Sequence, residues 1–558
     1  MKKVLLICLL GYLCLPISTL TAQVAESPPE TDLVDNSGLT GQEGESSSAS
    51  EGTESVLIYV ELAKKGKLDT LTFETFPFHV STLHPNYRQK EEFVVGRRGS
   101  FFEGINPAVD QLFLFESVDF ERAGYISIKR GEEPILENYL VFPGDSIKVQ
   151  INEAGNRISF AGPDGDLFAV QYQMALAAEQ RRFSLPSQMM TDDPEEFLNR
   201  DDYRERYRTA KTNFGGHMEL VGFGEEEKVR ILELWEMNLE ELPEWNVLDS
   251  FRSRISSEAF DLLRADLIGK YRAGLLRKFR TEMYDRAVIT RDSLFVAELN
   301  DLFASEFLLP DPGLSDQAKN LSSGWLSYKY EQAYLKALTS NSSFTKGVMA
   351  DFDGELRGKI YLKFLMDKFQ QIPTKTAFIE RIAAFMATAD QVGQLEEYSS
   401  KYISGVPVAD FQFTDSMGRM YSKADFTDQV LVFYFWSTGC GASENFYKET
   451  FDQLAQEYQG SDRVELVAVN ASATEEIWEK GLKSGNYTSE KLLNLYLGAE
   501  AAQWKSQYNI HLFPQLMMLD GKGSNVEILY LGQSTESIRS QIEAALSATQ
   551  QSNLSLKN

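Results

Sequence analysis

The sequence predicts a multidomain protein with an N-terminal antiparallel β-domain, a central α-helical region and a C-terminal α/β domain. Short β-branched and aromatic runs fill 55–164, apolar residues at helical spacing fill 165–402, and buried strands alternate with helices over 403–548. The length of 558 residues corresponds to about three or four folding units at roughly 100–200 residues each. After these domains, residues 549–558 are expected to form a flexible tail.

The first segment, 1–22, has the pattern of an export signal. Lys2 and Lys3 precede an apolar run over 4–15, and Ala22 completes a small-residue cleavage site. Because the run is too short to span a bilayer, we expect cleavage after Ala22 rather than retention as a membrane helix. The sequence therefore predicts an exported protein, periplasmic or associated with the cell envelope.

The set of cysteines in the mature protein also depends on whether the export signal is removed. The chain has three, Cys8, Cys14 and Cys440, and the first two fall inside the predicted signal. Cys14 could instead carry a lipid anchor, although the large residues before it depart from the usual small-residue pattern. If the signal is removed, only Cys440 remains, and a structural disulfide within one chain is impossible. No later run reaches the length of a membrane span.

Residues 23–54 are predicted to be a disordered acidic linker. They contain eight acidic residues, no Lys or Arg and no aromatic residue, so they cannot bury enough apolar surface to offset the entropy lost on ordering. The whole chain is also acidic, with 55 Lys and Arg against 82 Asp and Glu, a formal net charge of −27. Binding to nucleic acid needs clustered basic residues, and this charge excludes it as a predicted function.

The β-domain and the helical region are predicted from periodicity. The runs typical of strands are 56–60, 71–73, 112–115, 125–128, 147–151 and 158–160. A turn at 143–145 separates two of them. In the next region, Leu232, Trp235 and Leu239 have helical spacing, as do Leu267 and Tyr271. These residues are most simply core, and no cofactor motif accompanies them.

The C-terminal domain begins with a continuous apolar run at 430–435, as expected for a strand buried on both faces. The further predicted elements are a helix over 441–458, strands at 464–469, 516–519 and 527–531, and a final helix carrying Ile538, Ile542 and Ala545. This order of elements indicates an α/β layer arrangement.

Several kinds of site are excluded by the residues present. The four histidines, His79, His84, His217 and His511, lack partners at metal-ligand spacing, so no metal site is predicted. No phosphate-binding glycine loop, dinucleotide fingerprint or nucleophile elbow occurs. We therefore expect no cofactor.

Cys440 is the strongest candidate for chemistry. It lies where the strand at 430–435 gives way to the helix starting at Gly441. The unpaired N–H groups and the dipole at a helix N-terminus favour a thiolate over a thiol, and the thiolate is the nucleophile. A small buried residue at a strand end is the alternative interpretation.

The C-terminal segment, from about 403 to 546, resembles a thioredoxin-like domain of the exported TlpA/ResA branch. The matching positions are 411–418, 430–436, Cys440, Trp504, 508–510, Phe513, Pro514 and 520–523. The segment that shows the resemblance covers about a quarter of the chain.

The resemblance implies a role for each matched site residue. Cys440 would be the attacking thiol, and Pro514 a cis-proline facing it, since cis bonds are nearly restricted to proline. Phe513 would offer backbone groups to an incoming peptide strand, and Trp436 would belong to the same substrate-binding surface. The spacing between Cys440 and Pro514 leaves room for the branch's helical insertion, here about 473–504.

The sequence departs from the family at the active-site motif. Ser443 replaces the second cysteine, Ala442 the usual proline, and Gly439 the usual tryptophan before the first cysteine. Tyr434 stands where cytosolic thioredoxins have a buried acid. Exchange through an internal disulfide needs two thiols, so this chain cannot complete that cycle alone. Ser443 could still donate a hydrogen bond to the Cys440 thiolate.

Three functions remain open. The leading hypothesis is a thiol-disulfide oxidoreductase that uses Cys440 alone and exchanges with protein or small-molecule thiols and disulfides in the envelope. A non-catalytic module that binds peptides or proteins beside Pro514 is the second. A one-cysteine peroxidase is the third, although Phe433 stands where that family has its motif proline.

Overall fold

The computed structural model describes most of the chain from residue 55 to residue 555. Its gaps are 64–66, 83, 100–109, 132, 153–156, 192, 214–217, 309, 311, 370–371, 373–374, 403–404, 473, 499–501, 509, 511–512 and 527–533. All described residues belong to one compact unit, Thr53–Asn558. The predicted signal, the linker over 23–54, His217, His511 and the predicted strand at 527–531 lie outside the described residues.

The N-terminal region is a β-sandwich. Its strands are β1 (Val56–Ala63), β2 (Thr70–Phe76), β3 (Lys90–Val95), β4 (Arg97–Arg98), β5 (Asp110–Ser117), β6 (Gly124–Arg130), β7 (Glu133–Val141), β8 (Ser146–Asn152) and β9 (Arg157–Ala161). One sheet has the order β4-β5-β1-β8-β9 and the other β3-β2-β6-β7. Alternation along β1, where Val56, Ile58 and Val60 are fully buried, supplies the core between the sheets. The antiparallel prediction is wrong at one place, because β1 and β8 pair in parallel.

The region that follows is mainly helical. Its elements are α1 (Gly165–Ser184), β10 (Ser187–Thr191), α2 (Pro194–Leu198), α3 (Asp201–Asn213), β11 (Met218–Gly222), α4 (Glu225–Glu236), α5 (Pro243–Ser250), α6 (Ser257–Lys278), α7 (Asp285–Thr290), α8 (Ser293–Glu306), α9 (Asp316–Leu321), α10 (Ser323–Thr339), α11 (Phe344–Asp351), α12 (Gly354–Asp367), α13 (Lys375–Ala383) and α14 (Ala389–Tyr402). The parallel pair β10–β11 is a short stretch of strand that the prediction of a mainly helical region did not include.

Glycines allow α6 and α10 to cross closely. A Cβ added at Gly269 would lie 2.1 Å from the carbonyl carbon of Gly324, so neither position has room for a side chain. The crossing brings Asp266 of α6 against the start of α10, where Gly324 N donates a hydrogen bond to it.

The C-terminal domain is an α/β layer. Its elements are β12 (Gln412–Asp415), β13 (Met420–Ser422), β14 (Val430–Trp436), α15 (Gly441–Phe446), α16 (Asp452–Glu457), β15 (Val464–Asn470), α17 (Glu475–Ser484), β16 (Leu493–Tyr496), α18 (Ala502–Gln507), β17 (Gln515–Leu519), β18 (Asn525–Val526) and α19 (Thr535–Ser555). A π-helical turn, Tyr447–Phe451, joins α15 to α16. The sheet order is β13-β12-β16-β15-β14-β17-β18.

The C-terminal domain contains the predicted central strand, but differs from the prediction at 473–504 and at its last helix. All seven residues of β14 are buried, because β15 flanks the strand in parallel and β17 flanks it antiparallel, and apolar clusters cover both faces. The segment predicted to be a helical insertion, 473–504, contains a strand, β16, as well as helix α17, so a purely helical composition is not found there. The last helix continues to Ser555, beyond the predicted domain end at 548.

The helical region and the α/β domain share a core. Val80 from the β-sandwich segment, Ile360 from α12 and Phe433 from β14 belong to one continuous cluster of buried apolar residues. Burial of apolar surface between these layers stabilises them as one body, at roughly 25 cal/mol for each Å² removed from water.

Candidate active site

Cys440 lies between the end of β14 and the first residue of α15. It is the N-cap residue of that helix, its backbone is extended, and its side chain is partly exposed. Its thiol Sγ lies 3.4 Å from the carbonyl oxygen of Phe513, to which it donates a hydrogen bond. A buried strand therefore delivers a reachable thiol to a helix N-terminus, the arrangement that the sequence predicted.

The sheet explains why Phe513 lies beside a cysteine 73 residues earlier in the chain. β17 begins at Gln515 and pairs antiparallel with β14, with Phe435 opposite Gln515. The chain entering β17 therefore arrives where β14 ends. The Phe513–Pro514 peptide bond is cis, and its carbonyl is the group that contacts the Cys440 sulfur.

Ser443 is placed one helical turn after Cys440 but does not contact the sulfur by a hydrogen bond. Its side chain is fully buried, and its Oγ has no hydrogen-bond partner among the described residues. The Tyr434 hydroxyl donates instead to the Ser443 carbonyl oxygen, at 2.8 Å. The hydrogen bond that Ser443 could donate to the Cys440 sulfur is therefore not formed in this structure, where the hydroxyl is buried and unpaired among the described residues.

Tyr434 lies in β14, six residues before Cys440, and is fully buried. Burial raises the pKa of its phenol well above the usual value. At neutral pH it is therefore a neutral donor that fixes the first turn of the helix, and it does not act as a proton acceptor for Cys440.

Trp436 is also placed differently from the expectation. Its side chain is fully buried, and its ring stacks on Tyr487 with centroids 5.1 Å apart and planes at 9°. A bound peptide could not contact this ring directly. Trp436 therefore supports the active-site loop from beneath, which corrects its predicted place among the substrate-binding residues.

The loop before Cys440 is held by residues that sequence reasoning missed. Ser472 Oγ accepts a hydrogen bond from Thr438 N at 3.1 Å, and the Tyr487 hydroxyl accepts one from Gly439 N at 3.0 Å. The Thr438 hydroxyl donates to the carbonyl of Ile477 at 3.0 Å. No local motif signals these contacts, because they join residues 34 to 48 positions apart.

Lys505 is a further neighbour that the sequence did not indicate. Its ammonium group lies 6.0 Å from the centre of the Phe513 ring and 3.4 Å from the carbonyl oxygen of Ala471. Burial lowers its pKa. It places an amino group near the ring of Phe513.

Metal ligands do not cluster around Cys440 among the residues that the structure describes. In the described portion of the chain, no group of three or more His, Cys, Asp or Glu side chains is arranged to hold a metal ion. His79 is buried within the N-terminal half, against Phe76 and Tyr125.

Among the described residues, none of the helices combines the length and apolar character that crossing a bilayer requires.

Comparison with known proteins locates the same domain. Residues 428–526 match the family described as Thioredoxin-like. This stretch contains Cys440, Ser443 and the Phe513–Pro514 pair, and it identifies the C-terminal part of the chain as a thioredoxin-like domain. No curated protein matches the chain significantly.

Solved structures similar to the chain cover about a quarter of it. A proposed thiol-disulfide oxidoreductase from Bacteroides vulgatus is 25% identical, with 26% of this chain and 99% of that chain covered and a TM-score of 0.23. An exposed lipoprotein thioredoxin from Streptococcus pneumoniae is 20% identical, with 24% and 99% covered and a TM-score of 0.22. The thioredoxin domain of a second Bacteroides vulgatus oxidoreductase is 20% identical, with 25% and 98% covered and a TM-score of 0.22.

Proposed function

We propose that this protein is an exported thiol-disulfide oxidoreductase of the TlpA/ResA type that acts through Cys440 alone. One observation carries the proposal: a partly exposed thiol at the start of α15 lies 3.4 Å from the Phe513 carbonyl oxygen. The match of residues 428–526 to the Thioredoxin-like family supports a redox role in general. The substrates are thiols and disulfides of proteins or small molecules in the cell envelope.

The reaction is a thiol-disulfide exchange. The Cys440 thiolate attacks one sulfur of a substrate disulfide, the substrate S–S bond breaks, and the other half leaves as a thiolate that takes up a proton. Cys440 is oxidised to a mixed disulfide, and the released half is reduced. Because Ser443 offers no second thiol, a thiol from another molecule must attack the mixed disulfide to restore Cys440.

The substrate surface is the chain around Phe513. The Phe513 carbonyl faces the Cys440 sulfur, and Pro514 behind it is buried. Gly439, Gly441 and Ala442 are exposed and have no bulky side chains, so the sulfur has no tryptophan cover of the kind usual in the family. Partners of different shapes can therefore approach it.

Export is the second part of the proposal. The charged start, the apolar run and the Ala22 cleavage site support it. Intact mass measured on protein from the envelope fraction should give a mature chain beginning at Gln23. A chain retaining Met1, or a lipid on Cys14, would contradict processing at Ala22.

The chemistry is tested with oxidised glutathione. In a full chain carrying Cys8→Ser and Cys14→Ser, Cys440 is the only thiol. It should gain one glutathione, seen as a mass increase that dithiothreitol reverses, while glutathione is released in equal amount. The matched Cys440→Ser variant should gain none. A wild-type thiol that stays unmodified while the chain is folded rejects the proposal.

A non-catalytic binding module is the second candidate. The buried Ser443 hydroxyl favours it, because that group makes no contact that would activate the sulfur. In that case Cys440 would react no faster than an exposed cysteine in an unfolded peptide. The rate of the glutathione reaction, compared with such a peptide of the sequence 436–445, separates the two functions.

A further inference from the structure

The loop between β14 and Cys440 needs external support. Gly439 has φ +90°, in the left-handed region that favours glycine, and a second glycine follows Cys440. With glycine on both sides, the backbone around the thiol has unusually wide freedom. The position of the sulfur must therefore be fixed by contacts from outside the loop.

Those contacts come from the predicted insertion, 473–504, and from Ser472 immediately before it. Thr438 N is bound by Ser472 Oγ, and Gly439 N by the Tyr487 hydroxyl, at 3.1 Å and 3.0 Å. Tyr487 lies between α17 and β16, within the inserted segment. The backbone N–H immediately before Cys440 is therefore held by a side chain of the insertion.

Tyr487 is itself rigid. The residue is only 7% exposed, and its ring stacks on Trp436, the last residue of β14. A buried, stacked ring leaves the hydroxyl few alternative positions. The position of the Tyr487 hydroxyl is therefore fixed relative to β14, the strand that leads into the active-site loop.

Helix α17 also packs closely against the loop. A Cβ added at Gly481 of α17 would lie 2.5 Å from the Thr438 hydroxyl and 2.8 Å from the Trp436 ring. The insertion therefore packs closely against the loop at this point, and the Tyr487 hydrogen bond adds to that contact.

We propose that Tyr487 is a positioning residue for thiol-disulfide exchange: its hydroxyl fixes Gly439 and so holds the Cys440 sulfur at the Phe513 carbonyl, where a substrate disulfide must align. The inference rests on the proposed function of Cys440. Tyr487 acts through Gly439 and takes no part in bond making. The inserted segment thereby becomes part of the exchange machinery.

The test compares two tyrosine variants in the full chain carrying Cys8→Ser and Cys14→Ser. Tyr487→Phe removes the hydroxyl and keeps the stacked ring. Tyr508→Phe is the matched control, because the Tyr508 hydroxyl also accepts a backbone N–H, from Ala409 at 2.7 Å. The second-order rate of the reaction with oxidised glutathione should fall about threefold to tenfold in Tyr487→Phe, as loss of alignment at the reacting sulfur predicts. The rate of Tyr508→Phe should equal that of wild type.

A spectroscopic readout separates positioning from stability. With ¹⁵N-glycine labelling, the Gly439 amide should lose its hydrogen-bonded proton shift and exchange faster with solvent in Tyr487→Phe only. A rate for Tyr487→Phe equal to wild type, or an equal slowing in both variants, overturns the inference and leaves the proposed function standing. A wild-type chain that forms no mixed disulfide overturns both.

Discussion

Two buried polar clusters of the molecule differ in how well their atoms are paired. In the N-terminal half, Asp266 of α6 accepts hydrogen bonds from Ser322 Oγ at 2.6 Å and Gly324 N at 2.8 Å. The Tyr125 hydroxyl of β6 donates to the same carboxylate at 3.1 Å and accepts from Ser323 N at 2.9 Å. This Asp266 cluster joins the β-sandwich to two helices, and both the Asp266 carboxylate and the Tyr125 hydroxyl are hydrogen-bonded.

The cluster beneath Cys440 is incompletely paired. Ser443 Oγ, Trp436 Nε1 and Asn470 Nδ2 are buried without a hydrogen-bond partner in the described part of the chain. A buried polar atom left unpaired costs about 1–3 kcal/mol. Natural sequences accept such costs mostly at functional sites. The contrast predicts that the Asp266 hydrogen bonds stabilise the fold, whereas the unpaired atoms beneath Cys440 lower its stability.

The largest expected effect is at the paired cluster. Asp266→Ala leaves Ser322, Gly324 and Tyr125 without their acceptor, so the free energy of unfolding should fall by about 3 kcal/mol or more. Denaturation with urea followed by near-ultraviolet circular dichroism measures it. Asp249→Ala, at an exposed acid on α5, is the control and should change stability by less than about 0.5 kcal/mol. A loss at Asp266 no larger than the control would show that the cluster is not structural.

The next effect depends on pH and concerns His79, whose ring lies 5.3 Å from that of Tyr125. Burial, with smaller contributions from Lys363, Lys359 and Lys270, lowers the pKa of His79 to about 3 from an ordinary 6.5. Between these values the unfolded chain binds one more proton than the folded chain, so stability falls as the pH falls.

The histidine contribution is isolated by His79→Phe, which keeps an aromatic ring against Phe76 and Tyr125. From pH 7 to pH 5 wild type should lose about 2 kcal/mol more of unfolding free energy than the variant. Parallel losses in the two proteins would show that His79 is protonated in the folded state.

The smallest effect has the opposite sign and lies at the unpaired cluster. Ser443→Ala removes a buried hydroxyl that has no partner, so stability should rise by about 1 kcal/mol. The rate of the Cys440 reaction with oxidised glutathione should not change, because that hydroxyl does not contact the sulfur. Ser472→Ala is the matched serine variant, and it should destabilise, since Ser472 Oγ holds Thr438 N. A Ser443→Ala variant that loses stability or reactivity would contradict the contrast between the clusters.

Local patterns predicted the elements that carry the site. The continuous apolar run of β14 and the following helix were predicted correctly, because burial on both faces leaves a clear signal in sequence. The proximity of Cys440 to Phe513 came only from the family resemblance, since nothing local links positions 73 residues apart.

Other features left no usable signal. Alternation predicts a strand but not its partner, so the parallel β1–β8 pair was missed. The short strands β10 and β11 each have five residues, and among the described strands they pair with one another alone. Strands this short are not detectable from the periodicity of apolar residues. Tyr487 gave no indication of its role, because its hydrogen bond to Gly439 depends on how the insertion packs.

The central claim, that Cys440 exchanges disulfides but cannot release its partner alone, is tested most directly by Ser443→Cys. In one helical turn the two Cα atoms should lie within the range of about 4.4–6.8 Å that a disulfide spans. Wild type should hold a glutathione mixed disulfide until an external thiol is added. The variant should expel glutathione, close an internal disulfide and reduce disulfide substrates faster than wild type. A folded variant that closes no disulfide under mild oxidant, and keeps its glutathione as long as wild type, would contradict the account.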